Sequence, residues 1–72
     1  MKLPMMSDVI HLAILKRQAR TMDQDSAVTS YQRYQEVGYQ LVKDGDYILV
    51  YTNGCPNMLV DAILVQHIQH LL

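Results

Sequence analysis

Tryptophan and phenylalanine are absent, cysteine occurs once, proline twice and glycine three times, and six basic side chains are nearly cancelled by seven acidic ones. Each shortage excludes something. A single cysteine, Cys55, leaves no internal disulfide to staple a chain of 72 residues. Its surroundings, Asn53-Gly54-Cys55-Pro56, are not a Cys-x-x-Cys pair, so a dithiol redox centre is excluded. Glycines at 38, 45 and 54 are too scattered for a Walker-type loop or a dinucleotide fingerprint, and no cofactor is expected. A formal charge of −1 denies the chain the positive field behind non-specific phosphate binding, which argues against nucleic acid as a partner.

Long apolar runs are missing too. Val9 to Leu15 is interrupted by His11 and followed by Lys16-Arg17, and Met58 to Val65 contains Asp61. Both fall far short of the roughly 20 residues that span a bilayer, so no membrane segment is expected. With no small-residue cleavage site after the first run and one unpaired thiol, the chain reads as cytoplasmic.

What remains is a chain half hydrophobic and only 18% charged, well away from compositions that cannot collapse. Area scaling for this length leaves only about 62% of the extended surface buried, a thin core for a single domain. The expected class is a small α+β domain in the order helix, helix, β-hairpin, helix.

Residues 1–6 are expected to be flexible. Ser7 suits an N-cap, and Leu12, Leu15, Ala19 and Met22 recur at helical spacing, predicting a helix over 8–20 with Ile10 and Ile14 widening its apolar stripe. Lys16, Arg17 and Arg20 complement its negative end and form a possible basic contact patch. After a polar connection in which Asp25 or Ser26 can cap, Ala27, Tyr31, Tyr34 and Gly38 lie within about 60° of one another on a wheel, predicting a second helix over 26–38.

The segment 39–52 holds two β-prone runs about Asp44-Gly45, a strong hairpin signal. A turn on those two residues pairs Lys43 with Asp46, Val42 with Tyr47 and Leu41 with Ile48. Tyr47, Leu49 and Tyr51 then face one way and Ile48 and Val50 the other. A two-stranded sheet cannot hide both faces alone, so helices or a partner must cover them. Beyond the break at 53–57, Val60, Ile63, Leu64, Val65, Ile68, Leu71 and Leu72 cover an arc of about 200° on a helical wheel. That predicts a helix over 57–72, with Asp61 near its free amides, buried both by its own chain and by a second copy.

Chemistry-bearing residues are sparse. His67 and His70 at i and i+3, with His11 or Cys55, lack a second matched pair for zinc. They read as cations at a helix end, so no metal is expected. Cys55 before a helix start has no motif placing a base beside it. No small-molecule site and no enzymatic constellation emerges.

The tyrosines combine a large apolar body with a polar tip, serving either the core or a contact surface. The expected function is therefore a non-enzymatic protein-binding module, an adaptor, inhibitor or regulator, acting as a homodimer or with a partner subunit. Its expected interface takes Tyr31, Tyr34, Tyr47, Leu49 and Tyr51 from the centre of the chain and Val60, Leu64, Ile68 and Leu71 from its end. The alternative is a DNA-binding regulator of winged-helix-like type, with 27–38 as recognition helix and Lys43 to Asp46 as wing tip. The short connection before it and the acidic tip count against that arrangement.

Overall fold

A computed structural model describes the backbone from Met6 to Leu72 and side-chain burial from Val9 onward. Two helices, α1 (Met6–Thr21) and α2 (Gln24–Val37), precede three antiparallel strands, β1 (Gln40–Asp44), β2 (Tyr47–Tyr51) and β3 (Leu59–Leu64). A single helical turn, α3 (Val65–Ile68), and a 3-10 turn at Gln69–Leu71 close the chain. Of residues 1–6, expected to be flexible, 1–5 lie outside the described residues and Met6 is the first residue of α1.

The class is the expected small α+β domain. One element differs: residues 59–64 form a third strand, and only the last few residues of the expected C-terminal helix are helical. The physical reason is coverage. In the sheet order β1-β2-β3, β3 has a helix on each face, so it buries Leu59, Ala62 and Leu64 toward α1 and Ile63 toward α2, with Asp61 beside Ile63 bonded to Tyr34. A short apolar run buried on both faces carries no alternation and spreads around a helical wheel. The residues that mark it as a strand are its β-branched Val60 and Ile63 and the turn-forming stretch before it.

Helix α1 covers one face of the sheet and α2 with α3 the other. Leu15, Ala19, Leu49 and Ala62 form the core under α1, with Leu12, Tyr47, Tyr51, Leu59 and Leu64 packed around it. Ala27, Tyr31, Ile48, Val50, Ile63 and Ile68 form the core under α2. The faces expected for β2 are thus the faces found, and helices of the same chain cover both. Ile10 and Ile14, expected to widen the α1 stripe, are 52% and 48% exposed, because Leu12, Leu15 and Ala19 suffice to seat the helix.

Local chemistry sets the boundaries. Helix α1 begins at Met6, which puts Ser7 inside the helix and not at its cap. The cap of α2 is Asp23, in place of the expected Asp25 or Ser26: its carboxylate accepts the Ser26 N–H at 3.3 Å and the Ser26 hydroxyl at 2.8 Å. At the other end Gly38 takes a left-handed φ of 89° and donates to Tyr34 and Gln35, while Tyr39 N–H donates to the Tyr34 carbonyl at 3.0 Å. This is a Schellman closure, and its usual apolar contact is supplied by Tyr39 stacked on Tyr34 at 5.6 Å.

The hairpin turn lies one residue later than expected. Asp44 pairs with Tyr47, Lys43 with Ile48 and Leu41 with Val50, leaving Gly45 and Asp46 as the central pair. Gly45 has φ of 61° and Asp46 is not in the positive region, the pattern of a type II′ turn, in which glycine takes the first central position. Opposite β2, Val50 faces Asp61 and Tyr51 faces Leu59, so Val60 is the extra residue of a bulge on the edge strand.

Candidate partner-binding surface

The expected interface residues separate into four groups. Tyr31 and Leu49, each 5% exposed, and Ile68, fully buried, are core residues, covered by their own chain and not by a partner. Tyr34 and Leu71 are half-buried around the α2-side core, and Tyr51 around the α1-side core. Val60 is 37% exposed on the edge of β3, whose bulge and inward-facing Asp61 blunt further strand pairing. Tyr47 and Leu64 are brought directly opposite each other across β2 and β3.

That last pair sits beside an open cleft of about 710 Å³ at the hairpin-turn end of the sheet. Its walls come from the last turn of α1 (Arg20), the hairpin (Lys43, Gly45, Asp46, Tyr47), the end of β3 (Leu64) and the C-terminal turns (Val65, Gln66, Gln69, Leu72). The Val65 N–H donates to the Asp46 carbonyl at 2.9 Å and ties the C-terminal turn to the hairpin tip. The cleft is therefore assembled from three separate stretches of chain, the end of α1, the hairpin and residues 64–72.

Tyr47 is held from above by two cations one helical turn apart. The Lys16 ammonium lies 5.2 Å from the ring centroid, and the Arg20 guanidinium donates to the phenolic oxygen at 3.1 Å. Lys16 also pairs with Asp44, the cross-strand neighbour of Tyr47, at 3.7 Å. An exposed pair at that distance adds little stability, and its consequence is to hold the side chains in one arrangement. Of the expected basic patch, then, Lys16 and Arg20 are engaged with Tyr47, and Arg17 is exposed to solvent. Lys43, which the sequence reading used only beside the turn, is the second cation of the cleft.

Among the described residues two titratable groups depart from their ordinary range, and neither is in the cleft. Burial, reinforced by its 2.6 Å hydrogen bond to Asp61, pushes the Tyr34 phenol up to about 12. Asp61, expected near the amides of a helix start, instead faces α2 from β3 and also accepts the Ala62 N–H at 2.7 Å. The hydrogen bonds from Ser26, its side chain first, hold the Asp23 carboxyl below its ordinary value.

The remaining chemical candidates are dispersed. His11 donates from Nε2 to the Leu59 carbonyl at 2.9 Å, and Cys55 is exposed in the loop before β3. His67 is in α3 and His70 in the 3-10 turn. Among the described residues no group of three or more His, Cys, Asp or Glu could hold a metal ion, and no helix is long and apolar enough to cross a membrane. On α2, Ala27 and Tyr31 face the sheet, while Gln32, Arg33 and Glu36 are exposed, a surface of mixed charge.

The arrangement defines a small α+β domain with helices on both faces of a three-stranded sheet and a mixed polar and apolar cleft at one end. No protein-family model, no curated protein and no solved structure matches the chain.

Proposed function

We propose that the chain is a non-enzymatic protein-binding module, a small adaptor, inhibitor or regulator in the cytoplasm, and that it engages another protein through the Tyr47 cleft. The observation that carries this reading is the convergence on Tyr47. Tyr47 and Leu64 of the expected contact residues and Arg20 of the basic end of α1 meet there beside an open cleft. Tyr and Arg are enriched in protein interfaces because each combines contact area with directed hydrogen bonds. An aromatic ring already held by two neighbours loses little further freedom on binding.

Variant-dependent capture tests the proposal. Extract from the source organism is passed over the immobilised chain, its Lys43→Glu and Leu72→Asp forms, and a Met58→Gln control whose side chain, 61% exposed, lies outside the cleft. A protein retained by the parent chain and by Met58→Gln but lost with both cleft variants supports the proposal. Equal retention by all four, or retention by none, contradicts it.

A further inference from the structure

Resting on that reading, we propose that the cleft takes an acidic peptide segment carrying a bulky apolar side chain. Two features of the cleft select that chemistry. The first is charge. Of the cleft's side chains Arg20 and Lys43 are cationic and Asp46 alone is anionic, whereas the chain as a whole carries a formal −1. Arg17, exposed one turn before Arg20, adds a cation on the same end of α1.

Arg20 uses one guanidinium nitrogen on Tyr47, which leaves donors in its planar fork for a carboxylate. Among the described residues Lys43 has no carboxylate within 4.0 Å. A local positive excess on a net negative chain attracts acidic segments and turns away basic ones.

The second feature is the apolar floor. Tyr47 and Leu64 are half-buried side by side, and Leu72 is 60% exposed at the rim. Between them an aliphatic or aromatic side chain would exchange water for apolar contact, while the exposed amides of Gln66 and Gln69 can pair with its backbone. A purely anionic ligand would leave this floor unused, and a polyanion would meet the unfavourable charge of the rest of the chain. An acidic peptide with one large apolar anchor uses both parts.

The probes are three short synthetic peptides of equal length: one of Glu, Ser and Gly with a central Leu, a second with every Glu replaced by Lys, and a third with the Leu replaced by Ser. Amide resonances of the full chain are followed during titration. The first peptide is expected to shift residues 43–47 and 64–72, the third to bind several-fold more weakly, and the second to leave the spectrum unchanged. Lys43→Glu, its melting temperature compared with that of the parent chain, is expected to weaken the first peptide about fivefold or more. Added salt is expected to weaken it as well.

Equal shifts from the acidic and basic peptides, or shifts mapping away from the cleft, overturn the proposal. Loss of captured protein in the cleft variants without any response to the acidic peptide overturns the acidic assignment and leaves the protein-binding reading standing. Failure of both experiments removes both.

Discussion

Single side chains decide much of this structure, and Tyr34 shows how. One phenol stacks on Tyr39 to close α2, packs on the sheet and donates to Asp61 across 2.6 Å. Tyr34→Phe keeps the ring and removes the donor, so it is expected to cost about 1–2 kcal/mol by urea unfolding at neutral pH. The same bond makes a pH prediction. The phenol ionises near 10.0 in the unfolded chain and at about 12 when folded, so its contribution is complete below pH 10 and is lost as pH rises through 12. Unfolding curves across that interval should converge for the parent chain and Tyr34→Phe, and parallel curves would show that Tyr34 is not the group responsible.

Gly38 is the second decisive residue, because its φ of 89° strains any side chain, although space is open with the Asn53 amide 3.9 Å from a built Cβ. Gly38→Ala should therefore destabilise by about 1 kcal/mol through backbone conformation alone.

At the scale of elements, the two long helices and the hairpin were legible because each carries its period or its turn chemistry in adjacent residues. Ala27, Tyr31 and Tyr34 fall on one helical face and are the residues that α2 buries. β3 was not legible for a physical reason. Its Ala62 and Leu64 serve the α1 core and its Ile63 the α2 core, and with apolar side chains on both faces the alternation that marks a half-exposed strand disappears. The one-residue error in the hairpin has a different origin. A type I′ turn on Asp44-Gly45 needs a positive φ at Asp44 as well as at Gly45, whereas the type II′ turn on Gly45-Asp46 places the one positive φ on glycine, and that choice shifts the register by one residue.

Backbone chemical shifts test β3 directly: extended values over 59–64 followed by helical values from 65 are expected, and helical values from 58 onward would restore the long helix. The cap of α2 offers a parallel check. The Asp23 carboxyl is held low by Ser26, so its contribution is present above its ordinary value of 3.8 and is lost as pH falls through its lower folded value. Asp23→Ala should lower the melting temperature at pH 7 and lose that penalty in acid.

Over the whole molecule, α1 and α2 cover the two faces of β2 and β3, and Ile63 and Ile68 of the expected apolar arc are fully buried within the chain, while Val60 and Leu72 stay 37% and 60% exposed. Sedimentation across a concentration series measures whether the exposed side chains pair two copies: a two-chain mass supports the expected homodimer, and a single-chain mass contradicts it. The candidate site was only half legible. Tyr47, Leu64 and Arg20 could be named from local composition; Lys43 joins them through the hairpin, and Gln69 and Leu72 come from the C-terminal turns that the Asp46–Val65 backbone bond ties to the hairpin tip.

The central claim is that this composite cleft is where another protein binds. Amide hydrogen exchange of the chain, alone and with a partner recovered through the variant-dependent capture, measures it most directly. The account predicts new protection confined to residues 43–47 and 64–72, with the exposed side of α2 unchanged. Protection centred on α2, or none at the hairpin tip and C-terminal turn, would contradict it.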